Sequence, residues 1–216
     1  MIETLDVVHS YNREPVIKKA SIRIDTGITL FRGPNGSGKT TMAKIISGLL
    51  PPKRGRVLVD GIDIYTGNRV AREKLREIIF VHDTPVILKG NVYRNLTYGL
   101  RIMGKTNYTV LSELIERFGL GRLVHKNAHE LSAGERQIVS LVRGFAVSPR
   151  YLILDEPLQY LDDERRREVT SYLLELRKEG ITIVIATHEQ DLVKHADKIF
   201  YIKYGYVEEV ELPRPT

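Results

Sequence analysis

The eight residues Gly33-Pro34-Asn35-Gly36-Ser37-Gly38-Lys39-Thr40 fit the pattern G-x-x-x-x-G-K-[ST] at every position. On one side lies residues 28–31, an apolar run of strand length. On the other, residues 40–50 carry Met42, Ile45, Ile46 and Leu49 at helical spacing, with Pro51-Pro52 as the expected stop. A glycine-rich turn between a strand and a helix turns consecutive backbone N–H groups toward a polyphosphate, and the helix start adds a positive partial charge. Lys39 supplies a point charge for the β- and γ-phosphates, and Thr40 a hydroxyl for a divalent cation. The bland alternative, a glycine turn that binds nothing, predicts no acidic partner elsewhere in the chain.

Such a partner is present. Residues 151–154 (Tyr-Leu-Ile-Leu) read as a buried strand, and Asp155 and Glu156 emerge at its carboxyl end, where open α/β sheets place ligands. Successive strand residues point to opposite faces, so the two carboxylates can serve different roles. Asp155 is the expected cation holder, and Glu156 is left to polarise an attacking water.

Strand signals at residues 22–24, 28–31, 56–59, 78–81, 151–154 and 181–186 alternate with helical ones, including residues 164–179. This argues for an α/β core with a mainly parallel sheet. Between residues 91 and 146 the pattern turns helical and more polar, as in an insertion. The 216 residues suit one large domain or two small ones, and 42% hydrophobic with 28% charged residues can fill a core. With no cysteine, a disulfide scaffold and thiolate metal sites are excluded. No apolar run approaches the roughly 18–20 residues that span a bilayer. The first ten residues lack a basic-then-apolar leader, so the expected compartment is the cytoplasm. The net charge of +6 suits phosphate ligands, nucleic acid or anionic lipid, and equally a solvated surface.

Leu131-Ser132-Ala133-Gly134-Glu135, about 20 residues before the acidic strand, completes the set. It reads as a small-residue turn opening a helix, with Ser132 and Glu135 spaced as a capping box. With it the chain resembles the ATP-binding cassette (ABC) ATPases over nearly its whole length, the segment being similar to their LSGGQ signature with Ala133 and Glu135 as departures. The resemblance implies a single domain over residues 1–216. Its P-loop NTPase core would carry an N-terminal antiparallel β subdomain and an α-helical subdomain at about 84–146. It implies ATP and Mg²⁺ as ligands, with residues Gly33 to Thr41, including Thr41, around the phosphates and Thr40 and Asp155 at the metal. It also implies a head-to-tail dimer, identical or paralogous, in which Ser132, Ala133, Gly134 and Glu135 face the γ-phosphate of the other subunit.

Further residues carry over one at a time. Tyr11 stands where an aromatic side chain stacks on adenine, Asp162 matches the D-loop, and His188 matches the switch histidine. The D-loop's usual Ser-Ala pair is here Gln159-Tyr160. Where the family has a Gln reaching the metal and the attacking water, this chain has His82, which differs in reach and protonation. The segment from Asp83 to Leu96 looks like the importer pattern ending in V-x-x-N-[LV], locally similar to ATPases of tungstate, molybdate or phosphate uptake. The implied partner is a separate membrane permease, with the chain at the inner face of the membrane and no nucleic acid. The alternative reading is a soluble, non-transport ABC ATPase, for example of the iron–sulfur assembly type.

Overall fold

The computed structural model describes residues 1–12, 14–106 and 108–212. Its elements are β1 (Ile2–Tyr11), β2 (Glu14–Ala20), β3 (Arg23–Ile24), β4 (Gly27–Arg32), α1 (Lys39–Ile46), β5 (Arg54–Val59), β6 (Ile62–Asp63), α2 (Arg69–Leu75), β7 (Ile78–Val81), α3 (Val92–Ile102), α4 (Thr109–Arg117), α5 (Ala133–Phe145), β8 (Tyr151–Asp155), α6 (Asp163–Lys178), β9 (Thr182–Ala186), β10 (Lys198–Lys203) and β11 (Tyr206–Val210). The chain forms two compact units. One comprises Met1–Phe80, Arg150–Glu156 and Leu173–Thr216; the other comprises Val81–Pro149 and Pro157–Tyr172.

The first unit is organised by a mixed sheet in the order β6-β5-β1-β2-β11-β10-β4-β9-β8-β7, with β3 paired to β1. Strands β10, β4, β9 and β8 run parallel, while β1 pairs antiparallel with β2, β3 and β5. Every residue of β8 and of β9 is buried, which is why both read as unbroken apolar runs rather than alternating ones. Helix α1 packs on them, and Met42, Ile45 and Ile46 join Phe31, Ile153, Val184 and Phe200 in one core cluster. This packing fixes the loop before α1 against the carboxyl ends of β4, β8 and β9.

Two elements differ from the sequence expectation for physical reasons. The apolar pattern alone marks no strand before residue 22, where only the family resemblance implies an antiparallel β subdomain; β1 and β2 form a hairpin there. Asp6 has a left-handed backbone (φ 49°), and the β1–β2 register shifts around His9, so the period-2 signal is broken. Helix α1 stops at Ile46, not at Pro51-Pro52. Gly48 takes φ 82°, and the Leu49 N–H reaches back to the Lys44 carbonyl at 3.1 Å, closing the helix.

The second unit is helical, with α5 packed on α3 and α4. Leu96, Leu100, Leu111, Leu114, Ile138 and Leu141 are buried, and the rings of Phe118, Phe145 and Tyr172 meet at centroid distances of 5.0–6.2 Å.

Candidate functional site

In the first unit the loop of residues 33–38 joins β4 to α1. Gly33 has φ 146°, and a Cβ there would fall 2.0 Å from the Ile202 carbonyl oxygen, so only glycine lets the loop lie against β10. At Gly38, the residue before α1, there is no side-chain cap bond. The first N–H groups of α1 therefore have neither an intrahelical partner nor a cap, the condition in which a helix start accepts an anion. The Ser37 hydroxyl in the same loop is buried without a hydrogen-bond partner. Lys39, 7% exposed, folds back so that its ammonium donates to the carbonyls of Gly33 (2.9 Å) and Pro34 (3.1 Å). A cavity of about 450 Å³ opens beside Pro34, Asn35, Gly36 and Ser37, walled by Lys18 and Tyr204. The loop is thus a cradle of donors with one desolvated cation pointed inward.

At the start of α1, the Thr40 hydroxyl donates to Asp155 Oδ1 at 3.0 Å, linking the loop to the carboxyl end of β8. Asp155 is 1% exposed. No group of three or more His, Asp or Glu side chains able to hold a metal occurs among the described residues. One hydroxyl and one carboxylate oxygen are hard donors. They suit a small divalent cation that takes its remaining ligands from phosphate and water.

Glu156 follows Asp155 in a left-handed conformation (φ 44°), with its N–H bonded to the Ala186 carbonyl at 2.9 Å. Its carboxylate is held on both oxygens: Oε1 lies 3.0 Å from His188 Nδ1, and Oε2 accepts from the Thr187 hydroxyl at 3.0 Å. The residues at these strand ends thus include a carboxylate suited to activating water, with an imidazole in contact. Tyr11 ends β1, is 47% exposed, and meets His9 edge-on at a centroid distance of 5.0 Å. Its ring is open to a planar ligand.

The remaining anticipated residues belong to the second unit. Ser132 caps α5 in a full capping box: its hydroxyl accepts from the Glu135 N–H (3.2 Å), and Glu135 accepts from the Ser132 N–H (2.7 Å). That backbone bond holds the Glu135 carboxyl below the ordinary glutamate range. A Cβ on Gly134 would stand 2.8 Å from the Tyr160 carbonyl oxygen, so Ala133 and Gly134 form a small-residue turn against the segment carrying Asp162. Asp162 caps α6 by accepting from the Arg165 N–H at 2.9 Å. His82, half-buried, follows β7 directly.

Sequence reasoning missed several supports. Thr187 is one. Gln137, fully buried, donates to the Pro157 carbonyl at 2.9 Å. Asn95, also fully buried, clamps Leu88 by bonds to both its N–H (2.8 Å) and its carbonyl (3.0 Å). The spacing V-x-x-N held the signal for Asn95; for the other two, only the pairing of distant segments reveals the role.

Known proteins share this arrangement. A family match described as "ABC transporter" covers residues 17–159. An ABC transporter ATP-binding protein of Pyrococcus furiosus is 36% identical over 213 residues, which is 96% of this chain and 82% of that protein. The tungstate uptake system ATP-binding protein of Peptoclostridium acidaminophilum is 35% identical over 208 residues, 94% of this chain and 94% of that one. Among solved structures, a bacterial ABC transporter cassette in dimeric form matches with a TM-score of 0.87 and 26% identity, covering 99% of both chains. With a phosphate loop tied to an acidic strand end, and relatives of one kind matched along nearly its full length, the chain belongs to the ABC transporter ATP-binding family and is an ATPase.

Proposed function

We propose that this ATPase powers solute transport through a separately encoded membrane permease, binding Mg²⁺–ATP between two cassettes arranged head to tail. The observation that carries the permease reading is a groove of about 730 Å³ in the second unit. Pro85, Ile87 and Leu88 give it an apolar wall, and Lys89, His129 and Arg136 a basic one. Beside it, Val86 and Tyr93 are 50% and 47% exposed, large apolar groups left uncovered by the chain itself. The clamp of Asn95 on Leu88 keeps the groove wall rigid. A helical loop with an apolar face and acidic residues fits such a surface. No helix among the described residues is long and apolar enough to cross a membrane, so the spanning element belongs to the partner in this reading. The likeness to a tungstate uptake ATPase supports a tetrahedral oxyanion as the transported solute.

In the reaction, the backbone donors of residues 33–41 and the Lys39 ammonium bind the phosphates, and Tyr11 stacks on the adenine. Thr40 and Asp155 would hold a divalent metal, which would supply positive charge to neutralise that developing on the phosphates. Glu156 takes a proton from the attacking water, and His188 contacts the γ-phosphate. Ser132, Ala133, Gly134 and Glu135 of one subunit close over the γ-phosphate of the other, with Asp162 at the same junction. His82 occupies the metal- and water-sensing position. A neutral glutamine there would offer a longer donor–acceptor pair in one protonation state. His82→Gln is therefore expected to raise kcat by about fivefold, the worth of one well-made hydrogen bond, with ATP affinity unchanged. An unaltered steady-state ATPase rate would remove His82 from the machinery.

The transport reading is tested by expressing tagged Glu156→Gln protein in the native host, solubilising membranes gently with Mg²⁺–ATP, and identifying co-purifying proteins by mass spectrometry. A polytopic membrane protein is the expected partner. Recovery from the soluble fraction alone, with soluble partners, would instead support a non-transport role such as iron–sulfur assembly.

A further inference from the structure

We propose that Thr187 is a positioning residue for Glu156, an inference that rests on the reading of Glu156 as the proton acceptor. Thr187 follows β9 and is completely buried, and its N–H donates to the Phe31 carbonyl at 3.1 Å. Its hydroxyl oxygen accepts from the Glu189 N–H at 3.1 Å. A hydroxyl has one hydrogen, and with that lone pair occupied the hydrogen is directed at Glu156 Oε2, 3.0 Å away. The β-branched side chain has few rotamers, and its backbone is tied to β4, so the hydroxyl is a fixed point.

The other contact of Glu156 is of a different kind. The His188 side chain is 65% exposed and is free of the packing that confines Thr187. When His188 turns toward a γ-phosphate, its bond to Glu156 Oε1 is given up, and the Thr187 bond remains to hold the carboxylate in orientation. The left-handed backbone of Glu156 makes this constraint necessary, because a non-glycine residue in that region is held there by its surroundings rather than by its own preference. Positional errors near 1 Å at a reacting group are costly to the chemical step.

The test is Thr187→Val, which keeps the shape and removes the hydroxyl, with Thr187→Ser as the conservative variant and Glu156→Gln in parallel. Removing one bond to a charged group predicts a fall in kcat of about tenfold with KM and ATP affinity unchanged, and recovery to within about twofold in the serine variant. In the Glu156→Gln background the same change should have no further effect on the residual rate. Wild-type kcat in Thr187→Val, or an equal loss in Thr187→Ser, would overturn the inference while Glu156→Gln stays inactive. An active Glu156→Gln would overturn the reading beneath it. Should the valine variant fail to fold, Thr187→Ala against Thr187→Ser reads the same contrast.

Discussion

Glu156→Gln is expected to bind ATP as tightly as the unmodified protein and to hydrolyse it about 10²–10⁴-fold more slowly, the usual contribution of a positioned general base. Glutamine keeps the length of the side chain and an oxygen to accept from Thr187, whose hydroxyl lies 3.0 Å from Glu156 Oε2. The local fold is thereby preserved. What the change removes is the capacity to take a proton. In the proposed head-to-tail dimer hydrolysis is what separates the two cassettes, so on that reading the variant should accumulate as a dimer with Mg²⁺–ATP. Equilibrium nucleotide binding, single-turnover hydrolysis and sedimentation with and without nucleotide read these effects separately. Turnover within a few-fold of the unmodified protein would assign the base elsewhere.

Lys39→Ala acts one step earlier. Lys39 is 7% exposed, and its ammonium donates to the carbonyls of Gly33 and Pro34. Its desolvation is already in place before a phosphate arrives, and charged phosphate oxygens are better acceptors than the carbonyls they replace. Each charge-assisted bond is worth about 1.5–3 kcal/mol, so losing contacts to two phosphates should weaken ATP binding by about a hundredfold or more and abolish turnover at micromolar ATP. Because the lost bonds are two contacts to loop carbonyls, the melting temperature should fall by only about a few degrees. Isothermal calorimetry with ATP is the direct measurement, and undiminished affinity would overturn the assignment of the loop.

The two variants divide the site as the structure does. Lys39 opens α1 directly after the loop and is assigned to nucleotide binding, whereas Glu156 follows β8 and is assigned to the chemical step. The bond from Thr40 to Asp155 at 3.0 Å joins the two halves.

Much of this was legible in residue order, because the contacts involved are local. The phosphate loop depends on glycines and a lysine within eight consecutive positions. The capping box of Ser132 and Glu135 needs only a three-residue spacing, and β8 and β9 announce themselves as unbroken apolar runs. Other features were not legible, because a local backbone irregularity breaks or overrides the pattern that would reveal them. The β1–β2 hairpin is masked by a left-handed Asp6 and a register shift. The end of α1 was decided by the local bonds around Gly48 rather than by the prolines beyond it.

The chain order therefore determined which chemical groups the protein carries: a glycine-rich loop with Lys39 and Thr40 at residues 33–40, and two carboxylates at the end of a buried strand. Only the tertiary structure decided how those groups are aimed. Thr187 lies 31 residues from Glu156, Gln137 lies 20 from Pro157, and Asp155 lies 115 from Thr40. Hydrogen bonds over such separations leave no periodicity or composition to read. They exist because parallel strands β8 and β9 bring their carboxyl ends together, and because α5 lies against the segment that begins at Pro157.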